Sequence, residues 1–67
     1  MPVYSRSTLD AAMTLLGQYG EDAEIIATLR AAEFAALDDV DGLAAWDEII
    51  ACIAAIAMAD MAELKPN

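Results

Sequence analysis

Trp46-Asp47-Glu48-Ile49-Ile50-Ala51-Cys52-Ile53-Ala54-Ala55-Ile56-Ala57-Met58-Ala59-Asp60-Met61 is the stretch whose reading decides the fold. Its bulky apolar residues recur at helical spacing, alanine fills most of the gaps, and the charges sit at its two ends. At about 3.6 residues per turn this spacing draws a stripe down one side of a helix. Extended in both directions, the stripe is Leu43, Trp46, Ile49, Ile50, Ile53, Ile56, Met61 and Leu64, on a helix expected over Gly42–Glu63. Ala51, Ala55, Ala59 and Ala62 form the opposite side, which reads as exposed and helix-favouring, or as a surface that a partner helix can approach closely. Lys65-Pro66-Asn67 ends the pattern.

Such a stripe has to be covered, and 67 residues provide little to cover it with. Chains of about this length bury only about 60% of their unfolded surface, so disulfides, a metal or oligomerisation usually reinforce them. Cys52 is the single cysteine and histidine is absent, which excludes an intrachain disulfide and a structural zinc site. Oligomerisation, or docking onto another protein, is the route left.

Upstream, Ser7 is a candidate N-cap with Asp10 three positions later, so a helix is expected from Thr8 to Tyr19 after an extended arm, 1–7. Its apolar side reads as Leu9, Met13, Leu16 and Tyr19, and Gly20 suits a left-handed stop. Glu21, Asp22 and Glu24 then crowd the start of a second helix, where the helix dipole favours negative charge. Ile25, Ile26, Leu29, Ala32, Ala36 and Leu37 share its broad apolar face, and Phe34 lies off that face as a hint of a second contact surface. Asp38-Asp39-Val40-Asp41-Gly42 is the clearest loop, with Asp39 or Asp41 able to cap the third helix. No strand pattern is present. The expected fold is all-α: a small three-helix domain over 8–64, a helical hairpin plus a long C-terminal helix, completed by dimerisation.

The charge of −9 on a 60% hydrophobic composition argues for folding and against contact with nucleic acid or anionic membranes. The amino terminus lacks the layout of a signal peptide, and the uncharged run Ile49–Ala59 is shorter than the roughly 20 residues that span a bilayer. A cytoplasmic protein is expected.

Little in the chain points to catalysis. Without histidine no Ser-His or Cys-His pair can form, and Cys52 sits in apolar surroundings that raise a thiol pKa. Gly17, Gly20 and Gly42 build no phosphate loop, and Met13, Met58 and Met61 read as core filler. No enzyme, cofactor or metal is expected. Asp39, Asp41, Gly42 and Glu48 fall at positions 3, 5, 6 and 12 of a calcium loop, but positions 1 and 9 are Leu37 and Ala45, and Leu43–Glu48 reads as helix. Glu33 and Asp60 point toward apolar faces, with Arg30 the natural counter-ion for one of them, either as a small polar site between the second and third helices or as a rim ion pair.

Tyr19-Gly20, Ala23, Arg30, Asp41-Gly42, Trp46 and Ile49 together resemble a pattern of short, uncharacterised alphaproteobacterial helical proteins. In those a glycine precedes the second helix, an arginine lies within it, and a Gly-Asp turn, a tryptophan and an aliphatic residue follow. The similarity spans about half of the chain, whose own turn reads Asp-Val-Asp-Gly. It implies a helical fold and a bacterial source, and carries no activity.

These readings favour a protein that works through protein–protein contacts as a homodimer, with Tyr4, Phe34, Trp46, Ile53 and Ile56 as the interface. The alternative is an acidic inhibitor or antitoxin-like antagonist that mimics nucleic acid toward a basic partner. It would use Glu21, Asp22, Glu24, Asp38, Asp39 and Asp41. An accessory subunit of a larger complex is a third reading.

Overall fold

The computed structural model describes residues 4–63, with side chains described as far as Ala59. Among these residues the chain is all-α. Helix α1 (Arg6–Tyr19) runs through a single 3-10 turn (Gly20–Asp22) into α2 (Ala23–Ala36), and α3 (Val40–Glu63) follows. Each helix packs against the other two.

The first helix begins two residues earlier than its sequence implied. Ser5, not Ser7, is the N-cap: its backbone is extended and its Oγ accepts from the Thr8 amide at 3.2 Å. The expected arm through residue 7 therefore ends at Ser5, and residues 1–3 lie outside the described region. Both serines carry cap chemistry. Ser5 has in addition the hydroxyl of Thr8, to which its Oγ donates at 2.8 Å, and Thr8 is buried. Gly20 ends α1 as expected, at φ +56, with its N–H on the Leu16 carbonyl.

The end of α2 is a Schellman turn. The amide of Asp38 donates to the Ala35 carbonyl at 3.1 Å and that of Asp39 to the Phe34 carbonyl at 3.0 Å. Asp38 occupies the left-handed position at φ 57, which glycine usually takes. Asp39 then caps α3, its Oδ1 accepting from the Gly42 amide at 3.0 Å. A Cβ on Gly42 would collide with the Phe34 ring, so this glycine is what lets α3 start against α2.

Packing selects small residues over large ones. The core cluster is Ala12, Ala23, Ala27, Ile49, Cys52 and Ile53. Cys52 is the largest side chain buried beyond 98%. The stripe expected on α3 does face inward, through Ile49 and Ile53, with Trp46, Ile50 and Ile56 half-buried beside them. On α1 and α2 most of the expected apolar residues face outward, although Leu16 packs against the core and Ile26 is half-buried. Thr8 and Ala12 are the buried residues of α1, while Leu9, Met13 and Tyr19 are exposed. On α2 the inward face is Ala23, Ala27 and Ala31, and Ile25 and Leu29 stand 60% and 58% exposed on the far side. Met13 and Met58 are likewise exposed rather than core, and the Met61 side chain lies outside the described region. The cause is steric. Where α2 meets α1 and α3 together, methyl groups let the helices approach closely, whereas isoleucine and leucine would hold them apart.

A candidate protein-docking surface

The predicted interface residues do not form one outward face. Ile53 is 2% exposed in the single chain, so it is buried without a partner. Tyr4, Trp46 and Ile56 pack against the same intrachain cluster. Phe34, expected on a second surface, turns inward and stacks on Trp46 with ring centroids 6.5 Å apart and planes 25° apart. That geometry lies in the favourable offset range, where a pair contributes about 0.5–1.5 kcal/mol beyond burial. The structure thus spends these five positions mainly on closing the chain on itself.

The outward apolar face belongs to α2 instead. Ile25, Leu29, Ala32 and Ala36 follow one another at spacings of four, three and four, the step of a coiled-coil seam, and all four are exposed. This is the face read from the periodicity; what the periodicity did not show is that α2 has a second apolar face, of alanines, that fills the core. Beside the ridge a cleft of about 220 Å³ is lined by Tyr19, Ile26, Leu29, Arg30 and Glu33. Arg30 Nη1 lies 3.4 Å from Glu33, one turn away, with both side chains more than half exposed. Among the described residues Glu33 joins no polar site between α2 and α3; with Arg30 it forms a rim ion pair, of the kind that contributes under about 1 kcal/mol. The Asp60 side chain lies outside the described region.

A second concavity of about 600 Å³ opens between the C-terminal half of α1, the start of α2 and α3. Leu16, Ile53, Ile56 and Ala57 give it an apolar lining, to which Met13 adds a flexible thioether. Gly20, Glu21 and Glu24 line it on the side of the 3-10 turn.

The six acids proposed as one surface separate into two groups. Glu21, Asp22 and Glu24 lie at the start of α2, while Asp38, Asp39 and Asp41 follow its end, roughly 20 Å further along at about 1.5 Å per residue. Asp39 is committed to its cap, and Asp22 makes no side-chain capping bond. Glu48, the twelfth position of the calcium pattern, is in the body of α3, and its Oε2 accepts from Thr8 Oγ1 at 3.4 Å. Among the described residues no three Asp, Glu or Cys side chains converge as metal ligands. The Ser5–Thr8–Glu48 relay was missed by sequence reading, because nothing in the pattern marks Thr8 as buried.

Cys52 is 1% exposed, and desolvation pushes its thiol above the ordinary value. That environment disfavours the thiolate any nucleophilic role needs. By length and composition Val40–Ala59 of α3 is long and apolar enough to cross a membrane, with a mean hydropathy of 1.7. Asp47 and Glu48 sit near its middle, where an aspartate costs about 2.5–3.5 kcal/mol to insert. Its Ile49–Ile53 segment packs instead against alanines of α1 and α2.

No protein-family model matches the chain, and neither the curated proteins nor the solved structures compared with it show a match.

Proposed function

We propose that this chain is a small, non-enzymatic protein-interaction module that self-associates through the outward ridge of α2. The unit is a three-helix domain, α1 and α2 plus the long α3, whose apolar surface is completed by a second copy. The same proposal includes a soluble, cytoplasmic, bacterial protein of the alphaproteobacterial kind its sequence pattern resembles. The observation that carries it is the pair Ile25 and Leu29, about 60% exposed on a helix whose other face is already buried. Monomers rarely leave such ridges bare, and apolar residues at coiled-coil spacing are suited to a facing helix. Arg30 and Glu33 flank the ridge and offer opposite charges to a partner copy related by a two-fold axis. The interface thus rests on Ile25 and Leu29 in place of Trp46 and Ile53, which the chain uses internally. A self-associating chain has an unfolding midpoint that rises with protein concentration. A midpoint that stays constant over a hundredfold range of concentration would refute this reading.

A further inference from the structure

We infer that the groove between α1 and α3 is a docking site for a cationic amphipathic helix of a partner protein. This inference is independent of self-association through the α2 ridge.

Three observations converge on that occupant. The groove holds about 600 Å³ over an apolar lining that includes Leu16, Ile53 and Ile56, which suits a row of aliphatic side chains one helical turn apart. Met13 stands beside it 59% exposed, a flexible and polarisable side chain that can adjust to differing apolar shapes. Among the described residues Glu21 and Glu24 are the charged ones that line it, and both are negative. An incoming helix therefore meets apolar surface along its base and carboxylates at one end. The complement is a helix with aliphatic residues on one face and lysine or arginine beside them.

Charge decides against other occupants. A second copy offers three cations in its whole sequence, too few to place a basic helix face against Glu21 and Glu24 at this acidic end. Nucleic acid, negative like this chain, is repelled. A small ligand is usually enclosed over about 70–90% of its surface, whereas this concavity is only partly enclosed. Gly20 lines the groove with backbone alone, which leaves room for a close approach at the acidic end.

The test uses a fluorescein-labelled 18-residue peptide of leucine and lysine, patterned so that all leucines share one helical face, titrated with the full chain and followed by polarisation. The expected result is saturable binding that weakens as salt rises, with a loss of about tenfold or more in the Glu21→Lys/Glu24→Lys variant. Met13→Asn, which changes an exposed side chain, should weaken binding several-fold with helicity unchanged. The Asp38→Lys/Asp41→Lys variant changes net charge equally at the other end of α2 and should bind nearly as the wild type does. A peptide of the same composition with its leucines scattered should bind at least about tenfold more weakly. Equal losses from both charge reversals would show attraction to the net charge alone and overturn the site. Equal binding of patterned and scattered peptides, or no binding, would overturn it as well. Concentration-dependent unfolding in the absence of peptide reports self-association separately, so either reading can fail without the other.

Discussion

Replacing Gly42 by alanine should destabilise this protein, although alanine is the better helix former by about 1 kcal/mol. The added Cβ would lie 2.8 Å from Phe34 Cε1, closer still to Cδ1, and 3.0 Å from Asp39 Oδ2. Ordinary carbon contacts are about 3.5–4.0 Å, so the phenyl ring has to move by roughly an ångström. That ring stacks on Trp46, and the carboxylate beside it belongs to the residue that caps α3. Overpacking of a formed contact costs about 1–3 kcal/mol. Loss of the stacking removes about 0.5–1.5 kcal/mol, and a weakened cap removes up to about 1 kcal/mol. Set against the gain in propensity, the net loss is about 0.5–4.5 kcal/mol. Urea unfolding followed by helical circular dichroism and by Trp46 emission measures it, and Gly17→Ala is the control. Gly17 lies inside α1 with nothing within 4 Å of its added Cβ, so that variant should gain about 0.5–1 kcal/mol. Trimming the ring with Phe34→Leu should recover part of the Gly42→Ala loss. A Gly42→Ala variant as stabilised as Gly17→Ala would refute the close packing of α3 on α2.

Asp38→Gly should stabilise the fold by about 1 kcal/mol, because it relieves a left-handed residue and removes an acid from the end of α2; the shift in the urea midpoint checks it. Cys52 titrates higher when folded than when unfolded, so its contribution is intact below the ordinary thiol pKa of about 8.5 and is lost as pH rises through the folded value. Stability of the wild type should therefore fall relative to Cys52→Ala above about pH 8.5, measured by paired unfolding curves. Trp46→Ala should cost about 2–4 kcal/mol, somewhat under the full range for a large aromatic because the indole is half-buried, and native emission should lie between that of a buried and a free indole.

Much of the fold is legible in the sequence and much of the surface is not. The α3 stripe reads correctly because Ile49 and Ile53 are both bulky and buried, with Trp46, Ile50 and Ile56 packed beside them. The turn after α2 and the stop at Gly20 are local chemistry, carried by residues a few positions apart. On α2 the same reading chose Ile25 and Leu29 over Ala23, Ala27 and Ala31, because periodicity weighs size and carries no information on how near a neighbouring helix comes. Close approach is a tertiary property: it depends on α1 and α3 meeting α2 together. Thr8 was illegible for the same reason, since its partner Glu48 is forty residues away. Of the candidate site, the acids were visible, whereas the groove that makes two of them neighbours to Leu16 and Ile56 arises only when the helices assemble.

Sedimentation equilibrium of the wild type beside Leu29→Glu is the most direct test of the α2 ridge as a protein-contact surface. Leu29 is exposed, so the substitution should leave helicity intact, while in a dimer it would place a carboxylate in an apolar seam twice. The expected result is a wild-type mass of two chains at micromolar concentration and a Leu29→Glu mass of one. A wild type that sediments as a single chain up to about 100 μM, on the order of 5 kcal/mol of association free energy, would contradict it. So would a dimer whose mass is unmoved by the glutamate.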